Sequence, residues 1–98
     1  MANNQLPDAI LVQQYITGNE LALSQLIERH KSRIYGFIYS KLNDRDLCDD
    51  IFQDTFIKVI RTLKTKTYNE EGKFLPWVIR IAHNLIVDHY RKKKKMPM

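Results

Sequence analysis

The segment from Phe74 to Lys95, FLPWVIRIAHNLIVDHYRKKKK, constrains this chain more than any other, because burial and charge occupy opposite sides of one helical repeat. At about 100° per residue, Phe74, Trp77, Val78, Ile81, Ala82 and Leu85 share a face with the i, i+3, i+4, i+7 spacing of a helix lying on a core. Arg80, Asn84, Val87 and Arg91 form a second stripe on another side, flanked by His83, and the segment runs out into Lys92, Lys93, Lys94 and Lys95. That stripe faces solvent and suits a polyanion. Pro76 is tolerated only in a first helical turn, which puts the helix start near Phe74.

Upstream, Pro7 and Asp8 open a short helix over 7–17 that carries Ile10, Leu11 and Tyr15 inward, and Gly18 stops it. Asn19 reads as the N-cap of a long helix from Glu20 to Leu42. Its Leu23, Leu26, Ile27, Ile34, Phe37, Ile38 and Leu42 keep helical spacing, while Glu28, Arg29, Lys31 and Arg33 stay wet. Gly36 weakens this helix by somewhat under ~1 kcal/mol relative to Ala, which points to a close helix crossing. Asn43 and Asp44 make a turn and cap before a third helix, Leu47 to Lys64, with Cys48, Phe52, Thr55, Phe56, Val59 and Leu63 as its core stripe. Thr65 to Lys73 lacks a helical period and reads as a loop anchored by Tyr68. No stretch alternates with period two, so the expected fold is all-α, a compact bundle of about four helices forming one domain over 1–98.

No apolar run approaches the roughly 20 residues a membrane span needs, and MANNQLPDAI has no basic stretch leading into an apolar one. A cytoplasmic location without membrane contact is expected. The lone cysteine, Cys48, cannot form an internal disulfide and reads as a small buried apolar side chain. Five consecutive basic residues, Arg91 to Lys95, hold the whole net charge of +5, while Asp44, Asp46, Asp49, Asp50 and Asp54 put five carboxylates in eleven positions. Separated patches of opposite sign suit two partners, one of them a nucleic acid.

Catalysis fits the residues poorly. His83 and His89 are six apart and turn to different sides of a helix, unlike the i, i+4 spacing of a helical metal pair. Asp50, Asp54 and His83 are the set nearest to a divalent-metal phosphodiesterase, and no Gly-rich phosphate loop or paired nucleophile accompanies them. Neither enzyme activity nor a metal or cofactor is expected. Nucleic-acid binding uses the side chains better: Arg80, Arg91, Lys92 and Lys93 neutralise phosphates without choosing sequence, and the Asn84 amide donates and accepts against a base edge. The loop with Asn69 and Gly72 is open enough to enclose an unstacked base. On the third helix Asp46, Asp50, Gln53, Asp54, Ile57 and Arg61 share an outward face. An isoleucine among carboxylates and amides has the pattern of a protein interface. The competing reading is a helical protein-interaction module whose basic tail is only a solvated surface.

The string CDDIFQDTFIKV, a short loop and then FLPWVIRIAHNLIVDHYRKKKK together resemble the region 2 domain of bacterial RNA polymerase sigma factors, most of all the extracytoplasmic-function group. The likeness covers Asn19 to Lys95. It implies a domain that binds core RNA polymerase and recognises and helps melt the promoter −10 element. It implies that Asp50, Gln53 and Asp54, in a D-x-x-Q-D pattern with Ile57 beside them, meet the clamp helices of the polymerase's largest subunit. It also implies that Asn69, Glu70, Glu71, Gly72 and Lys73 of the loop meet the non-template strand, together with Arg80, His83, Asn84, Val87, Arg91, Lys92 and Lys93. An anti-sigma protein is a further implied partner, and a monomer is expected. At the solvent-side positions where primary sigma factors carry base-trapping aromatic residues this chain has Ile79, His83 and Tyr90, so strand opening should lean on the loop. Complete members carry a second helical domain for the −35 element. With the sequence ending at Met98, an excised domain that does not bind that element is expected.

Overall fold

Short polar side chains mark where two of this chain's helices begin. Asn19 Oδ1 accepts a hydrogen bond from the Leu21 amide at 3.0 Å, and Asp44 Oδ1 accepts one from the Leu47 amide at 3.1 Å. Each satisfies a first-turn donor that has no helical partner. The structure, a computed structural model, describes residues 6–69 and 72–95, with the backbone alone for Lys95. Four helices follow in order: α1 (Asp8–Ile16), α2 (Glu20–Leu42), α3 (Arg45–Lys64) and α4 (Phe74–Lys95), and the described residues contain no strand. Because Asp44 is the cap, α3 begins at Arg45, ahead of the Leu47 that its apolar period suggests.

Left-handed residues follow α1, α2 and α3. Asn43 (φ 53°) closes α2 and its N–H donates to the Tyr39 carbonyl at 2.9 Å, while Gly18 (φ 117°) closes α1. Lys66 follows α3 at φ 58° without a glycine's freedom. Replacing it relieves roughly 1–2 kcal/mol of left-handed strain, against an unfolded-state entropy gain of up to ~1 kcal/mol. Lys66→Gly is therefore expected to stabilise the fold by about 0.5 kcal/mol and to raise the thermal midpoint by a few degrees. A lowered midpoint in a melting experiment would refute this.

α2 is the central element and touches all three others. α3 returns antiparallel to it, and α4 runs alongside in the same direction, its Tyr90 hydroxyl donating to the Lys41 carbonyl at 2.9 Å near both C-terminal ends. The core comprises Leu11, Val12 and Tyr15 of α1, Ala22, Leu23, Leu26, Ile34 and Ile38 of α2, Cys48, Ile51, Phe56, Val59 and Leu63 of α3, and Phe74, Val78, Ala82 and Ile86 of α4. Thr55 is buried among them and donates to the Ile51 carbonyl at 2.7 Å, so its hydroxyl costs little.

Packing overturns several expectations. α1 buries Leu11, Val12 and Tyr15, which turns Ile10 outward to 44% exposure. Gly36 marks no helix crossing: a Cβ there would meet nothing within 4 Å. It lines an open trough of about 820 Å³ between α2 and α3, walled by Tyr35, Tyr39 and Phe52. On α3 the inner position belongs to Ile51, with Phe52 half-buried beside it. The α4 seam is the i, i+4 row Phe74, Val78, Ala82, Ile86, so Trp77, Ile81 and Leu85 become half-buried flanks. Ile79, expected in solvent, packs against the core.

Candidate nucleic-acid interface

With 3.6 residues per turn, Arg80, Asn84, Val87 and Arg91 fall within an arc of about 60° whose centre lies opposite Ala82, in the buried seam. Arg80, Asn84 and Arg91 are exposed, Val87 is half-buried, and His83 is exposed on the shoulder of the row. Lys92, Lys93 and Lys94 continue the helix into solvent. Among the described residues none of these cations is held in an ion pair. Their charge is free to meet phosphates.

The head of the row opens into a cavity of about 290 Å³ where the end of α3, the loop and the first turns of α4 converge. Tyr68 and Trp77, with ring centroids 4.2 Å apart, form its aromatic side, and Asn69, Lys73 and Arg80 bring polar groups to it. The volume is just below the roughly 300 Å³ at which pockets for drug-sized ligands begin, which suits a single ring system. Gly72, two residues before α4, is left-handed (φ 73°), a conformation that glycine adopts without strain. Glu70 and Glu71, both candidate contacts, lie outside the described residues. Four cavity residues, Thr62, Thr67, Pro76 and Trp77, were not assigned to it from the sequence. Helical period assigns Trp77 to the core, whereas its half-buried ring serves core and cavity together. Thr62 carries no local signal at all, since only the approach of α3 to α4 brings it there.

On α3, Asp50, Gln53 and Asp54 are exposed around Ile57, which is itself 50% exposed. Asp46 and Arg61 extend this ridge. One step around the helix, the Tyr35 hydroxyl donates to Asp49 Oδ1 at 2.9 Å. That hydrogen bond above all, then desolvation and the carboxylate's charge, holds the Tyr35 phenol above its ordinary pKa. Asp49 is thus engaged within the chain, while Asp50 and Asp54 have no ion-pair partner among the described residues. The described residues assemble no group of His, Cys, Asp and Glu that could hold a metal, so Asp50, Asp54 and His83 do not converge.

Residues 26–96, which include the whole acidic ridge, the loop and the α4 row, match the family model described as Sigma-70 region 2. The chain belongs to that family. This region 2 domain is 32% identical over 83 residues to the ECF RNA polymerase sigma factor SigW of Bacillus subtilis, a match covering 85% of this chain and 43% of that protein. It is 27% identical over 84 residues to the ECF RNA polymerase sigma factor BldN of Streptomyces coelicolor, covering 86% of this chain and 31% of that one. The domain thus spans less than half the length of these relatives, which belong to the extracytoplasmic-function group. Among solved structures, an engineered region 2 of sigmaE in complex with GTAAAA superposes with a TM-score of 0.79 at 25% identity, over 96% of both chains. The four-helix architecture is therefore that of sigma region 2.

Proposed function

We propose that this domain binds core RNA polymerase through the α3 ridge and the non-template strand of a promoter −10 element through α4 and its cavity, helping to open the duplex. It acts as a directing subunit and not as an enzyme. The observation that carries this reading is Arg80, which stands both at the head of the outward row and in the cavity wall. A strand held along the row by its phosphates delivers one unstacked base to the cavity. There Tyr68 and Trp77 offer stacking, worth about 1–3 kcal/mol per base. The solved sigmaE region 2 forms a complex with GTAAAA, and a ligand of that kind is what the row and cavity suit.

In this reading Asp50, Gln53, Asp54 and Ile57 meet the clamp helices of the largest subunit. Asn69, Gly72 and Lys73 hold the captured base, His83, Asn84 and Val87 border the base edges, and Arg80, Arg91, Lys92 and Lys93 neutralise phosphates. Glu70 and Glu71 enter through the family resemblance alone. The test is selection of single-stranded oligonucleotides on the full chain, followed by two variants. Asn84→Ala should relax the choice at one base by about 1–3 kcal/mol. Lys93→Ala should weaken all sequences alike and lower the salt slope by about 0.7. Equal losses on every sequence for both variants would remove Asn84 as a reader.

Ile57, half-exposed within carboxylates, favours a second reading in which α3 also receives a regulatory protein such as an anti-sigma factor, in competition with polymerase. No helix among the described residues is long and apolar enough to cross a membrane. A cytoplasmic monomer completes the proposal.

A further inference from the structure

The start of α1 is joined to the cavity by an unbroken series of contacts. Asp8, the first residue of α1, places Oδ1 2.8 Å from Arg29 Nη1 and Oδ2 2.8 Å from His30 Nε2, both N–H groups donating to the carboxylate. Arg29 is consequently drawn onto α1 and not left in solvent as its position on α2 suggests, and the His30 side chain is only 14% exposed. The carboxylate fixes the orientation of the imidazole, which is tilted by 41° against the Phe74 ring, with ring centroids 5.9 Å apart. Phe74 is 1% exposed and is the first residue of α4. Its ring stands 5.9 Å from that of Trp77, and Trp77 stands 4.2 Å from Tyr68. The last two rings are the aromatic side of the cavity.

From this geometry we infer that Asp8 and His30 are positioning residues for the cavity: the Asp8–His30 hydrogen bond, acting through Phe74, sets the Trp77 ring against which the captured base stacks. Neither residue touches DNA. The inference rests on the cavity being the base-holding site. Phe74 is enclosed in the close-packed interior, so a displaced His30 ring is passed through it to Trp77, which has the cavity beside it to move into. Truncating Asp8 frees the His30 ring to rotate, and Phe74 and Trp77 lose the surface that holds them.

The test uses the full chain and a single-stranded oligonucleotide selected for binding to it, compared with the same strand carrying an abasic site at each position in turn. In the wild type, one abasic position should cost most, and the ratio of intact to abasic affinity there measures base capture. Asp8→Ala and His30→Gln should each lower the intact-strand affinity by roughly three- to tenfold and leave the abasic-strand affinity unchanged. Emission from Trp77, the chain's one tryptophan, should shift in both variants without DNA. Ile38→Val, which trims a buried residue of α2 eight positions beyond His30, separates positioning from loss of stability. It should keep the wild-type ratio. Wild-type discrimination retained in Asp8→Ala, or lost equally in Ile38→Val, overturns the positioning role alone. A wild type that binds intact and abasic strands equally overturns the cavity reading, and this inference with it.

Discussion

Leu26→Ala should lower the unfolding free energy by about 2–5 kcal/mol, the range for emptying a buried leucine site. Leu26 has no solvent exposure and lies on the face of α2 that meets the rest of the core, so the vacated volume is enclosed on every side. A domain of this size holds only about 5–15 kcal/mol in total, so a single truncation removes a large share of the stability. The thermal midpoint should fall on the order of 10 °C or more. Urea titration should move the midpoint while leaving the slope nearly unchanged, since the surface exposed on unfolding hardly alters. Ile38→Val, at an equally buried position of the same helix, should cost only about 0.5–1.5 kcal/mol. A loss below ~1 kcal/mol for Leu26→Ala would mean that α2 is not the central helix described here.

The second large effect concerns partners and should leave stability almost untouched. The double variant Asp50→Ala, Gln53→Ala should lose at least about 2 kcal/mol of core-polymerase affinity, which is roughly 30-fold. Both side chains are exposed and neither supports the core, so the fold should change by no more than ~0.5 kcal/mol. Binding of a single-stranded −10 oligonucleotide should stay at the wild-type level, because the ridge on α3 and the row on α4 share no residue. Co-purification with core polymerase, run beside an oligonucleotide titration, reads both. Retention of polymerase by the double variant would take the α3 ridge out of the interface. Simultaneous loss of DNA binding would show that the two faces are not separate surfaces.

Much of this was readable from local chemistry. Asn19 and Asp44 cap helices through their own side chains, and Pro76 fits only near a helix start, so these ends depend on residues a few positions apart. The row Arg80, Asn84, Arg91 is legible for the same reason: a 3.6-residue period places side chains around one helix without reference to any other. Ile57 stood out among the carboxylates of α3 because its neighbours on that face also follow from the period.

What the sequence determined by itself, then, is the number of helices, their caps, and which side chains of each helix travel together. The tertiary structure decided which part of each apolar stripe lies deepest, moving Ile86 inward and Trp77 to the flank of α4, and it turned Ile10 and Gly36 to solvent. It also assembled the cavity, and joined Asp8 to Tyr68 through His30, Phe74 and Trp77. The physical reason is the range of the interactions. Periodicity and capping act within about one turn, whereas crossing angles come from the interdigitation of whole helix surfaces. A contact between residues as distant in sequence as Asp8, His30 and Phe74 exists only once α1, α2 and α4 are docked.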